Sequence, residues 1–386
     1  MSKLSENVVL FSQGAYGCIF MDEVTVSKKN KKPVYVKKVQ KRKETSDNEK
    51  EIGNIVKNIN NYMNYFAPIE ESSQLSLSSN DSNEIKKCEF ITEEKKEFET
   101  NKIRFVGEHS LAIHLNLLSK KEKNANMFME TLLEVYVHLC EGVSKLNKKE
   151  IVHLDLKENN IIFDDVRKNP IIIDFGLSKK VKEASPRDIF FVYGPDYSPW
   201  CFDIALLTYI CNELGENWEK EIIQSVHIEK VMKEFVDTNY GVNDLLSEEQ
   251  KELLIRNMRK DASKYVNRDG KQVYNELINE RYQSWDNYSL AVIFLYILQL
   301  MTNEMIENNE IVKKFRMVLI NVIISIENRP IADETIKELY KEFSSNNKIA
   351  VTELTDELKK EFTPEKYNER SLLLVETKNK TEEKKK

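Results

Sequence analysis

Cysteine is scarce and unpatterned: the five residues at 18, 88, 140, 201 and 211 include no CxxC and do not cluster with the five histidines. That spacing suggests neither a zinc site nor a disulfide framework, and a reducing compartment fits it best. An excess of one charge is also missing. With 58 basic and 64 acidic residues the net charge is -6, so no global positive field marks a nucleic-acid partner. Long apolar runs are absent too. Leu290 to Leu300 and Met317 to Ile324 fall short of the roughly 20 residues a membrane helix needs, and they read as buried core helices. The start, MSKLSENVVLF, lacks the zones of a secretory signal, which gives the expectation of a cytoplasmic protein without a membrane partner. No internal repeat is visible.

What is present begins with strand-like alternation. Val9 to Phe11, Cys18 to Met21 and Pro33 to Val39 read as three strands. From Ser46 to Tyr62 the period becomes helical through Ile52, Ile55, Val56 and Ile59, with Ser46 or Asp47 as N-cap. Residues 70 to 100 read as an irregular loop before a strand at Lys102 to Val106. Ala125 to Leu146 reads as a long amphipathic helix, followed by strand-like Ile151 to His153, Ile161 to Phe163 and Ile171 to Asp174, and then mostly helix. From about Glu376 the chain is too polar to bury and is expected to be a disordered tail.

The informative segment is His153-Leu-Asp-Leu-Lys-Glu-Asn-Asn160, with Asp174-Phe-Gly176 following 14 residues after Asn160. Together these resemble the catalytic loop HRDLxxxN and the metal loop DFG of the eukaryotic protein kinase superfamily. The resemblance covers positions 9 to about 340. It implies an α+β, two-lobed protein kinase fold with a strand-rich N-lobe at 1–107 and a helical C-lobe at 108–345, ATP binding in the cleft between them. A helical insert at about 200–285 and a C-terminal extension at 346–386 complete the organisation. It also implies a protein serine/threonine kinase using ATP and Mg2+, with a protein substrate. Some kinases of large DNA viruses look similar, in which case the host cytoplasm is the expected location.

By the same resemblance Asp155 is the catalytic carboxylate, Asn160 and Asp174 hold magnesium, and Lys157 occupies the position typical of serine/threonine-directed members. Ser12-Gln-Gly14-Ala-Tyr16-Gly17-Cys-Ile19 resembles the phosphate loop GxGxxGxV with serine for the first glycine. There Gly14 and Gly17 permit close approach to phosphate, Tyr16 caps the loop and Ile19 packs on adenine. Lys37 and Lys38 compete for the phosphate-anchoring lysine. Adjacent strand residues face opposite sides, and Lys38 places Val36 on the nucleotide face where Lys37 would place bulky Tyr35, so Lys38 is preferred. Glu49 and Glu51 compete to be its partner, and Glu49, at i-3 from Ile52 and i-7 from Val56, is preferred.

Tyr193-Gly-Pro-Asp196 resembles the family's A-P-E closing motif, and Arg329-Pro330 its late R-P, so Asp196 and Arg329 are an expected ion pair. Asp286-Asn-Tyr-Ser-Leu-Ala-Val resembles the start of the central helix, with Asp203 as the competing aspartate. Leu154 stands where most members carry a phosphate-binding arginine. Two rival readings follow from the departures: a pseudokinase scaffold that binds ATP or protein, suggested by Ser12, Leu154 and the insert, and a small-molecule kinase on the same fold.

Overall fold

In a computed structural model the described residues are 8–14, 17–22, 35–41, 44–75, 83–91, 98–121, 125–164, 167–300 and 309–343. The chain divides into two compact units. One comprises Met1–Glu108 with Ile162–Ser178, the other His109–Ile161 with Lys179–Lys386. Residues 162 to 178, expected with the helical lobe, thus belong to the strand-rich unit. The reason is local backbone bonding: Ala67 N donates to the Ile172 carbonyl at 3.1 Å and Ile172 N donates to that of Tyr65 at 2.8 Å.

The first unit is built on an antiparallel sheet of β1 (Val8–Gly14), β2 (Gly17–Asp22), β3 (Tyr35–Lys41), β4 (Ile69–Leu75) and β5 (Phe98–Arg104). The strand order is β1-β2-β3-β5-β4. On β3, Val36, Lys38 and Gln40 are buried while Tyr35 is exposed and Lys37 and Lys41 are partly buried. The first two residues of the expected strand from Pro33 lie outside the described residues. Helix α1 (Glu44–Lys57) starts two residues before the expected cap, so Ser46 is inside it and buried. Ile52 and Val56 face inward, and Glu49 shares their face.

Two expectations are corrected in this unit. The stretch expected to be an irregular loop contains β4, whose sequence IEESSQL has apolar residues only at its ends and so shows no alternation to read. It also contains a short helix α2 (Asn83–Lys86) and a 3-10 turn at Glu89–Ile91. The expectation of no disulfide fails as well: Cys18 and Cys88, 70 residues apart in sequence, are bonded. Connectivity depends on which segments the fold brings together, and spacing alone does not carry it.

The second unit is helical, with α3 (Leu111–Lys121), α4 (Ala125–Asn147), α5 (Phe202–Glu213), α6 (Ser225–Thr238), α7 (Glu248–Ala262), α8 (Gly270–Glu280), α9 (Trp285–Gln299), α10 (Glu310–Ile324) and α11 (Ala332–Phe343). At its centre is α9, buried from Trp285 to Leu298 on every side, as a helix apolar all round must be. It packs on α4 and α10. The expected insert is helical, α5 to α8, and its elements pack within this unit. Among the described residues no helix is long and apolar enough to cross a membrane. The expected C-terminal tail lies outside the described residues.

Candidate active site

In the first unit β3 and α1 deliver an ion cluster. Lys38 Nζ donates to Glu49 Oε1 at 3.0 Å and Oε2 at 3.1 Å, and to Asp174 Oδ1 at 3.0 Å. Lys38 and Glu49 are 6% and 4% exposed, so the pairing takes place with little water to screen it. Burial pulls the Lys38 pKa down, but the charges and hydrogen bonds of Asp174 and Glu49 outweigh it and the net direction is upward. The lysine is held as a cation. Gln40, two residues on and on the same face, donates to Glu49 Oε2 at 3.3 Å and to Glu99 Oε1 at 3.1 Å. Lys50 completes the relay with a 2.9 Å bond to Glu99. Glu51 is exposed on α1.

Asp174 adopts a left-handed backbone, φ 61°, and the next residue, Phe175, is buried edge-on against Phe66. Asn48 of α1 donates to the Ser178 carbonyl at 2.8 Å, which ties the end of this segment to the helix bearing Glu49. Across β2 and β3, Ile19 pairs with Lys38 and Cys18 with Val39. Gly14 and Gly17 pair at the end of the β1–β2 hairpin. A Cβ on Gly17 would lie 2.1 Å from the Val39 carbonyl oxygen, so no larger residue fits there without moving β3. Tyr16 lies outside the described residues.

In the second unit the turn from His153 to Asn160 is assembled around Asp155, which is 3% exposed. Lys157 Nζ donates to its Oδ1 and Oδ2 at 3.0 and 3.1 Å, and Asn160 Nδ2 donates to Oδ2 and to the Asp155 carbonyl at 2.9 Å each. The Tyr197 hydroxyl donates to Oδ1. Asp286, at the start of α9, accepts from the backbone N of His153 at 2.7 Å and of Leu154 at 3.1 Å. Burial raises the Asp286 pKa, with His153 and these two donors pulling the other way. Leu154 is buried with φ 64°, and its carbonyl accepts from Trp200 Nε1 at 3.0 Å.

The expected Asp196–Arg329 pair does not form. Asp196 is exposed, and Arg329 donates instead to Asp203 at 2.6 Å with both side chains 1% exposed. Arg281 extends this into a buried network. Its guanidinium donates bidentately to Asp261 at 2.7 and 2.8 Å and lies 3.6 Å from Asp203. Asp203 is therefore the closing carboxylate and Asp286 the central-helix aspartate. Sequence reasoning missed Gln40, Tyr197, Trp200 and Asp261. Gln40 had a readable signal, being in phase with Lys38; the others depend on long-range contacts.

In the first unit Asp174 has a carboxylate that is 27% exposed in its side chain, and in the second the amide nitrogen of Asn160 is turned to Asp155; each side chain carries oxygen of the kind a hard cation takes. Among the described residues there is no cluster of three or more histidine, cysteine or acidic side chains placed to hold a metal by itself.

The protein kinase domain profile matches residues 7–199, half of the chain. The chain belongs to the protein kinase domain family, a family of phosphotransferases. A curated relative, the striated muscle preferentially expressed protein kinase of Danio rerio, is 28% identical over 113 residues, 25% of this chain and 4% of that protein. The chain thus spans a small fraction of that relative's length. Among solved structures, the autoinhibited serine kinase domain of the giant muscle protein titin is similar at 14% identity and TM-score 0.44, over 94% of this chain and 88% of that one.

Proposed function

We propose that this chain is an active serine/threonine protein kinase that transfers the γ-phosphate of ATP to a protein hydroxyl in a cytoplasmic setting. The observation that carries the reading is Lys38, a buried cation bonded at once to Glu49 and Asp174. A scaffold needs no such arrangement, whereas phosphoryl transfer depends on positioned charge. In this reading Lys38 binds the non-transferred phosphates, Glu49 holds it in place, and Gly14 and Gly17 let the hairpin backbone approach them. Ile19, level with Lys38, packs on the adenine, and Tyr16 caps the loop. Asp174 and Asn160 would hold magnesium, which would supply neutralisation of the phosphate charge. The substrate oxygen forms a bond to the γ-phosphorus as the bond to the β,γ-bridging oxygen breaks. Asp155 takes the hydroxyl proton, and Lys157 stabilises the charge of the group in transfer. Its presence supports serine or threonine as acceptor.

The test is incorporation of labelled phosphate from ATP into generic protein substrates beside Asp155→Asn. Incorporation on serine and threonine that the variant loses supports the reading. Equal incorporation in both proteins, or none in either, sinks it in favour of a scaffold that binds ATP or protein.

A further inference from the structure

The bonded cysteines lie in the nucleotide-binding half of the proposed site. Cys18 directly follows Gly17 on β2. Because β2 pairs Cys18 with Val39 and Ile19 with Lys38, the two faces of this short strand carry different duties. Ile19 and Lys38 share one face. Cys18 and Val39 share the other, in a buried cluster with Val8, Phe20, Leu75, Ile85, Cys88 and Phe98.

Cys88 belongs to the segment 83–91, and this segment is attached to the hairpin on both sides of the bridge. Glu84 Oε2 accepts from Leu10 N of β1 at 3.2 Å, and Glu89 N donates to Gln13 Oε1, one residue before Gly14, at 3.1 Å. Its own secondary structure is one four-residue helix and one 3-10 turn. Pieces that short do not hold their shape alone. The covalent bond, two hydrogen bonds and the packing of Ile85 and Ile91 on the core cluster therefore fasten a weakly structured segment onto the strands that flank the glycine turn.

We propose that Cys18–Cys88 is a thiol–disulfide site coupled to nucleotide binding: oxidised, it clamps the β1–β2 hairpin in its ATP-holding form, and reduced, it lets the hairpin loosen. The inference rests on the proposed ATP site. The reductant is a dithiol. Both sulfurs are buried, so exchange begins when the short 83–91 segment opens locally; one thiolate of the dithiol then attacks one cysteine sulfur, releasing the other and giving a mixed disulfide, and its second thiol attacks that mixed disulfide and releases the remaining cysteine. Two electrons pass to the protein, two cysteine thiols result, and the dithiol leaves as its own disulfide. Reduction leaves the apolar cluster around two thiols but removes the tie across 70 residues of chain. The fraction of molecules with the hairpin in place then falls, and the apparent nucleotide affinity falls with it. Coupling is reciprocal, so bound nucleotide must favour the oxidised form by the same factor. The other cysteines, 140, 201 and 211, are free thiols, and burial pushes those of Cys201 and Cys211 up to about 12, so little thiolate forms there.

The experiment uses the full chain, its Cys18 and Cys88 state established by thiol-trapping mass spectrometry before and after dithiothreitol. Binding of a magnesium complex of a non-hydrolysable ATP analogue is measured calorimetrically in both states. The expected result is a Kd roughly tenfold weaker after reduction, with Cys88→Ser matching the reduced protein and insensitive to dithiothreitol. The analogue should also slow trapping of the two thiols by a similar factor. Equal Kd in the two states of the wild type overturns the inference and leaves the kinase reading standing, the bridge then being structural only. Cysteines that are found as thiols and resist oxidation overturn it too. Failure to bind the analogue in either state removes the kinase reading and the coupling together. Using the reduced wild type keeps the test decisive should Cys88→Ser fail to fold.

Discussion

The hydroxyl of Tyr197 donates a hydrogen bond to Oδ1 of Asp155, the same oxygen that accepts from Lys157. With Asn160 on Oδ2, the carboxylate receives donors on both oxygens from its own chain. A substrate hydroxyl has to displace one of them. Tyr197 is the donor without another assigned duty. A hydrogen bond to a charged group contributes about 1.5–3 kcal/mol, so Tyr197→Phe is expected to raise kcat/KM toward a protein substrate by roughly tenfold. The KM for ATP should not change. A fall in kcat would mean that Tyr197 orients Asp155 for the reaction instead of competing for it.

If the proposed site holds ATP, the charge of Lys38 on β3 is expected to govern turnover. Lys38→Met should lower kcat by on the order of 100-fold or more, as losing a charge contact formed at the transition state does. Lys37→Met should be nearly neutral. Glu49→Gln should follow the first pattern and Glu51→Gln the second, since Glu49 is bonded to Lys38 and Glu51 is exposed. Steady-state rates at saturating ATP decide both comparisons, and a reversed ranking in either pair would transfer the role to its neighbour.

The buried network of Asp203, Arg329, Arg281 and Asp261 should be a stability element. Arg329→Met leaves Asp203 in the interior with the longer contact to Arg281 and a weak donor in Cys201 Sγ, and removing one partner of a buried pair costs about 3–5 kcal/mol. Asp196→Asn, at an exposed position, should leave stability unchanged. Urea unfolding of the two variants beside wild type checks this. A loss confined to Asp196→Asn would restore the pairing expected from the A-P-E resemblance.

Activity should be independent of phosphorylation between Gly176 and Tyr193. Leu154 cannot bind phosphate, and its carbonyl is already tied to Trp200 by a bond that needs no modification. The hydroxyls available there are Ser178, fully buried, and Ser185, exposed. Protein stripped by a broad phosphatase, and a Ser178→Ala, Ser185→Ala double variant, are both expected to keep the wild-type initial rate. A large drop restored by rephosphorylation would assign the arginine's work to another cation, with Lys179 and Lys180 the nearest in sequence.

Much of the molecule was legible from short-range pattern. The period-two alternation of β3 separates Lys38 from Lys37, and the structure buries Val36, Lys38 and Gln40 in phase. The 3.6-residue period of α1 puts Glu49 on the face of Ile52 and Val56, and the all-round apolarity of α9 marks it as central. The run from His153 to Asn160 carries its own chemistry within eight residues. These features rest on neighbours along the chain, whose sterics and burial act locally. Partner choice across long separations does not. The carboxylate for Arg329, 126 residues away at Asp203 and not at Asp196, the bond between Cys18 and Cys88, the polar strand β4 and the contact of Tyr197 with Asp155 were decided only when the fold closed. Each depends on which surfaces exclude water together, and no periodicity in the sequence encodes that.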